Sequence, residues 1–274
     1  MKFAVGITLY NPTDENIQNI LNYMQIFDII FIYDNSTNNE SYQDLLNNDK
    51  IVYYCNGNND GLCIAINLMI EASIQRDIDY LCTMDQDSVF ENHEIRKVIQ
   101  FINSCKEPRW GIVAPYIVYK GRNDTNLLFN EIENVNWVIT SGSFVNIANI
   151  KKYGIRYDEN YFIDKCDIDF CTQIRLKGLK VLKYYSAHLY QELGYINEQG
   201  FSEHSSVRHY YIARNRVYYN RKFYDKKRAV VLSLAQLIKH LYTVLRYEKD
   251  KKEKIKAILA GVRDYHNGLM GKRI

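Results

Sequence analysis

The sequence predicts an α/β protein, with a mainly parallel central sheet flanked by helices and a helical C-terminal extension. Three observations carry this expectation. Short apolar runs alternate with helically spaced apolar residues over the first 85 positions. Polar residues gather at the ends of those runs, where ligands bind in open parallel sheets. Beyond His204 the pattern changes to basic, tyrosine-rich segments with helical spacing.

Each element has its own signal. Residues 3–9 (FAVGITL) form a short apolar run that stops at Asn11-Pro12, as a buried strand does. Thr13 is placed to cap a helix running to about residue 25. Residues 29–33 and 51–54 read as the next strands, each stopped by a polar cluster. Leu62, Ile66, Met69, Ile70 and Ile74 then recur at helical spacing, and 80–84 is a fourth strand ending at Asp85. A helix over 92–104 leads to a strand over 111–114. Residues 123–136 read as an excursion loop, and Thr140-Ser141-Gly142-Ser143 lies between apolar stretches. A helix over 166–177 turns Phe170, Cys171 and Ile174 inward and stops at Gly178. We divide the chain at 203/204, into an α/β domain over 1–203 and a basic helical extension over 204–274.

Composition narrows the class. Hydrophobic residues make up 47% and charged residues 24% of the 274, as in ordinary globular proteins. No apolar run approaches the roughly 18–20 residues that span a bilayer, and the N-terminus carries no secretory pattern, so a cytoplasmic location is expected. The six cysteines form no CxxC pair, and most sit inside apolar runs and read as buried, reduced thiols. From Ser206 onward there are 18 Lys+Arg against 5 Asp+Glu, whereas the preceding residues hold 17 against 27. An acidic body with a basic tail suggests an anionic partner: membrane surface, nucleic acid or nucleotide phosphate.

Three segments carry chemistry. In YLCTMDQDS, Asp85 and Asp87 flank one residue where an apolar strand ends. A hard divalent cation takes one or two protein carboxylates and fills its other positions with phosphate oxygens and water. In YFIDKCDIDFC, Asp164, Asp167 and Asp169 open a helix. Acids there cap the helix and complement its dipole, and one of them can serve as a general base. In HSSVRHYYIARNR, Arg208, Arg214 and Arg216 have the planar fork that suits diphosphate, on what also reads as a solvated basic helix.

Taken in order along nearly the whole chain, these pieces resemble family 2 glycosyltransferases of the GT-A fold, within them the rhamnosyltransferase-like subgroup. The resemblance rests on TLYNP, IYDNST, NDGLCIAIN, MDQDS, TSGSF, FIDKCDIDFC, HSSVRHYYIARN and the closing AGVRDYHNGLMGK. It implies that Tyr10, Asn11, Asp34, Asn59 and Asp85 hold the donor nucleotide, with Arg208 and Arg214 on its diphosphate. It implies Asp87 as the ligand of a divalent cation, Mn²⁺ or Mg²⁺, and Asp167 as catalytic base, with Ser141, Gly142 and Asp169 on the acceptor side. One departure stands out: where the subgroup carries the histidine of an H-x-x-G motif, HLYQELG places Gln191, and His188 lies three residues earlier. Either side chain is a candidate to complete the metal site.

The resemblance further implies an inverting transfer from a nucleotide-diphosphate sugar to a hydroxyl of a bacterial polysaccharide precursor. A dTDP-rhamnose donor is favoured, and UDP-galactose or another UDP-hexose is the alternative. The acceptor is expected to be lipid-linked, with peripheral contact between the C-terminal helices and the inner face of the cell membrane. A nucleotidyltransferase would show a Gly-rich phosphate loop after the first strand, where this chain has YNPTDEN. A nucleic-acid-binding protein would use the basic tail but leave Asp85, Asp87 and Asp167 without a purpose, so no nucleic-acid partner is expected.

Overall fold

The computed structural model describes residues 1–37, 48–107, 109–119, 131–191 and 203–273. The chain divides into two compact units, Met1–Tyr157 with Phe170–Glu192, and Asp158–Asp169 with Leu193–Ile274.

The first unit holds one sheet, in the order β3-β2-β1-β4-β8-β6-β9-β5, with β7 paired to β9. Its strands are β1 (Phe3–Leu9), β2 (Ile29–Asp34), β3 (Ile51–Cys55), β4 (Tyr80–Asp85), β5 (Ser88–Val89), β6 (Trp110–Tyr119), β7 (Ile132–Asn134), β8 (Ser143–Asn146) and β9 (Lys180–Gln191). The β3-β2-β1-β4 half is parallel throughout, as the alternating pattern predicts. β8 then runs antiparallel to both β4 and β6, and β6 resumes parallel pairing with β9. β7 and the two-residue β5 have too short an apolar pattern to read from sequence, and residues 123–130 of the expected excursion loop lie outside the described residues.

Helices α1 (Asp14–Tyr23), α2 (Leu62–Gln75), α3 (Asn92–Ser104) and α4 (Ile147–Tyr153) belong to this unit. The expected cap of α1 is a capping box: the Asn16 amide donates to the Thr13 hydroxyl, and the Thr13 amide donates to the Asn16 side chain. β1 is buried on both faces, with Ala4, Val5, Ile7 and Leu9 at 1% exposure or less, because helices cover both sides of the sheet. α5 (Cys166–Leu176) crosses the boundary between the units. Its Phe170, Cys171 and Ile174 are buried as expected, and Gly178 ends the turn after it at φ 73°. Gly111 on β6 lies so close to Ile174 that a Cβ there would collide.

The second unit contains α6 (Ser206–Phe223), α7 (Lys226–Tyr247) and α8 (Lys251–His266). α6 and α8 approach closely because Gly261 has no side chain; a Cβ would run into the Tyr210 carbonyl. A buried polar chain ties the three helices together. His209 Nδ1 lies 2.7 Å from His240 Nε2, His209 Nε2 lies 2.9 Å from Glu248, and Lys254 bridges Glu248 and Glu203. α7 is a continuous 22-residue helix, long and apolar enough by length and composition to cross a membrane.

Candidate active site

The carboxyl ends of β1, β2 and β4 build a polar ledge in the first unit. Asp34, at the end of β2, is 1% exposed. Its carboxylate accepts the Ser36 amide at 2.8 Å and the Tyr53 hydroxyl at 2.6 Å. Burial and the neighbouring Asp34 push the Tyr53 hydroxyl pKa far up, so it stays a donor. Asn11 sits at φ 46°, a left-handed conformation that asparagine tolerates, and its amide donates to Ser36 Oγ at 2.7 Å. Tyr10 beside it is 51% exposed, free to lie against a planar ligand. Asn59 accepts the Gly61 amide at 3.1 Å and so shapes the turn at φ 85° that starts α2.

At the end of β4, Asp85 is half-buried and Asp87 exposed. Ser141, fully buried, accepts the Asp85 amide through Oγ at 3.2 Å, and Gly142 turns at φ 75° to donate its own amide to the Thr83 carbonyl at 2.8 Å. The TSGSF turn therefore props the aspartate motif; buried Ser141 offers no surface to an acceptor. β5 continues from Asp87 and pairs antiparallel with β9, Ser88 opposite Gln191. That register brings Gln191 toward the aspartate motif. His188 is farther along, its amide donating to Glu94 at 2.7 Å and its ring 3.6 Å from the same carboxylate.

No group of three His, Cys, Asp or Glu side chains capable of holding a metal occurs among the described residues. The donor set nonetheless suits a hard cation that keeps water and phosphate oxygens: two carboxylates one residue apart, the Gln191 amide, and the buried Ser88 hydroxyl, which has no hydrogen-bond partner.

Two residues that the sequence pattern did not single out organise this ledge. Gln86, between the two aspartates, accepts the Tyr10 amide at 2.7 Å and donates to the Tyr10 carbonyl at 3.1 Å. Asn35 donates its amide to Leu9 and accepts the Asp60 amide at 2.9 Å. Their signal is position alone, directly beside aspartates at strand ends.

In the second unit, Asp167 is half-buried at the start of α5. Burial raises its carboxyl pKa, partly offset by the Ile168 amide and by Lys165. The preceding residues Asp164 and Lys165 are held at φ 63° and 71°, two consecutive left-handed residues with side chains. α6 supplies what holds them. Asn215, fully buried, donates to the carbonyls of Ile163 at 2.7 Å and Asp164 at 3.0 Å, and Arg208 reaches Asp164 Oδ1 at 3.3 Å. Such backbone strain persists only where surroundings over-determine it, most often at functional sites.

Two expected contacts change role here. Arg214 is 1% exposed and donates to the carbonyls of Gly271 at 2.7 Å and Asn160 at 3.4 Å and to the Asn215 side chain at 3.1 Å. With those donors committed, it holds the loop instead of meeting a diphosphate. Asp169 is fully buried and paired with Lys222 at 2.8 Å, which also pairs with Asp158 at 2.6 Å, so it anchors the segment and presents nothing to an acceptor. Arg208 is half-exposed and paired with Asp164.

Comparisons with known proteins bear on the fold and the family. The glycosyl transferase family 2 model matches residues 5–181. A dTDP-rhamnosyl transferase, RfbF of Shigella flexneri, is 22% identical over 98% of this chain and 96% of its own length. Among solved structures, TarS residues 1–349 of S. aureus in complex with UDP superposes with TM-score 0.58 at 13% identity, over 98% of this chain and 92% of that one. Its complex with UDP-GlcNAc gives 0.59 at 15% over 98% and 84%. GalNAc-T7 with UDP, GalNAc and Mn²⁺ gives 0.60 at 12%, over 97% of this chain and 56% of that one. The fold is that of GT-A glycosyltransferases, and the chain belongs to glycosyl transferase family 2, an enzyme of nucleotide-sugar transfer.

Proposed function

We propose that the protein is an inverting, metal-dependent glycosyltransferase moving a sugar, rhamnose by preference, from a nucleotide diphosphate to a hydroxyl of a polysaccharide precursor. The observation that carries this reading is the polar ledge at the ends of β1, β2 and β4, where Asp34, Asp85 and Asp87 converge on strand ends tied by Gln86 and Asn35. Tyr10, Asn11, Asn59 and Asp85 take the base, ribose and nearest phosphate, with buried Asp34 holding the ledge through Ser36 and Tyr53, and Arg208 on the diphosphate. The rhamnosyl preference is supported by likeness to the Shigella enzyme, and a UDP-hexose donor is the second reading, supported by the UDP complexes of the structural relatives.

Asp87 and Gln191 would hold the divalent cation, which when bound neutralises charge on the leaving diphosphate. Asp167 takes the proton from the acceptor hydroxyl as its oxygen attacks the anomeric carbon, and the bond to the diphosphate oxygen breaks. A pKa raised by burial makes a carboxylate a stronger base for that transfer. Gly142 shapes the turn under Asp85, and Arg214, Asn215 and Lys222 keep the Asp167 segment in place. We read the acceptor as lipid-linked and the enzyme as cytoplasmic with peripheral membrane contact, supported by the exposed apolar face of α7, where Val231, Leu234, Ile238, Tyr242 and Leu245 are each more than half exposed. Transfer assays with dTDP-rhamnose and UDP-hexoses, run on wild type and Asp167→Asn, test the reading. Turnover with neither donor class contradicts it.

A further inference from the structure

α6, α7 and α8 enclose a cavity of about 140 Å³ in the second unit. Its walls are apolar, from Val217 on α6 and Leu234 and Leu237 on α7, among others. The charged and titratable side chains lining it are arginines and histidines: Arg216, Arg221, His240 and His266. Arg216 is half-buried and Arg221 exposed, and neither side chain makes a hydrogen bond or ion pair with a described residue. Burial pushes the Arg216 guanidinium below its ordinary pKa, and Asp164 acts on it only at a distance. A guanidinium partly withdrawn from water without a partner costs stability, and an anion placed against it would offset that cost.

The cavity also opens onto apolar surface. Val230 and Leu234 line it while being 39% and 55% exposed, and the stripe continues along α7 through Val231 and Ile238 at 65% and 68%. α7 carries Lys226, Lys227, Arg228, Lys239 and Arg246 and no acidic residue over its whole length. An apolar channel with unpaired cations lining it, continuous with an apolar stripe on a cationic helix, is complementary to one class of molecule. We propose that this cleft binds a phosphate-bearing lipid, its head group on Arg216 and Arg221 and its chain against Val217, Leu234 and the α7 stripe. The inference rests on the reading of a lipid-linked acceptor and gives its lipid end a place on the C-terminal helices.

The test is calorimetric titration of the full chain with monomeric decyl phosphate, with inorganic phosphate and decanol as controls. The expected result is saturable binding of one decyl phosphate per chain, at least about tenfold tighter than either control, and weakened about tenfold or more by Arg216→Met, as loss of a charge-assisted contact should do. Because that substitution removes an uncompensated charge, the melting temperature without ligand should not fall. Leu234→Asp, on an exposed position of the opposite wall, should weaken decyl phosphate binding by a similar factor and keeps the test valid if Arg216→Met is unstable. Binding no tighter than inorganic phosphate, no tighter than decanol, or unchanged in the variants overturns the proposal. A melting shift with donor nucleotide, measured on the same samples, separates the two readings: nucleotide binding without decyl phosphate binding defeats this inference alone.

Discussion

Asp167 does its proposed work only when ionised, and its surroundings oppose ionisation. Burial raises its pKa above the ordinary aspartate value near 3.9, so the acid limb of kcat/KM lies above that value and activity falls as pH drops through it. Asp167→Asn should lower turnover by about 10² to 10⁴ and leave donor binding intact. Wild-type turnover in that variant would remove Asp167 from the chemistry. At the metal end, the pairing of Ser88 with Gln191 makes a sharper statement than the sequence did, where His188 and Gln191 stood level. Gln191→Ala should raise the Mn²⁺ needed for half-maximal donor binding by about tenfold or more, and His188→Ala should leave it unchanged. The opposite pattern would hand the place to His188. Sequence could not decide this, because β5 is two residues long and its register depends on pairing between distant segments.

At the scale of elements, the strands and helices of the first 85 residues were legible because each is short, apolar and bounded by caps and turns that act locally. Thr13 and Asp85 mark the same positions in sequence and structure. The antiparallel β8 was not legible, since apolar alternation carries no direction. Nor was the work of α6, whose arginines look solvent-facing in sequence. In the structure Arg208, Arg214, Asn215, Tyr218 and Lys222 lie at helical spacing and each binds the 158–169 segment. Asp158 shows the strength of this attachment: burial pushes its pKa up, yet the Lys222 pair and the Tyr218 hydroxyl bring it below the ordinary range. Lys222→Met leaves the fully buried Asp169 without its cation and should cost about 3 kcal/mol in urea denaturation. A loss below about 1 kcal/mol would mean that the pair contributes little to holding the segment.

For the whole molecule, the buried chain through His209, His240, Glu248 and Lys254 couples stability to pH. His240 is 8% exposed, and burial with Arg216 and His209 nearby lowers its pKa to about 4, Glu248 opposing. The unfolded chain therefore takes up this proton first, near pH 6.5. Stability from this residue is complete above that pH and declines as pH falls toward 4, by about 2 kcal/mol at pH 5. Unfolding free energies measured at pH 7 and pH 5 should show this loss in wild type, and His240→Gln should remove it. An equal loss in the variant would place the proton elsewhere.

The central claim, a nucleotide-sugar site at the ends of β1, β2 and β4, is tested most directly by the melting temperature with UDP and with dTDP, each with and without Mn²⁺. The account predicts a Mn²⁺-dependent rise, larger for dTDP, corresponding to about 2.7 kcal/mol at 100 times the dissociation constant. No rise with either nucleotide, in the presence of Mn²⁺ and at millimolar ligand, would contradict it.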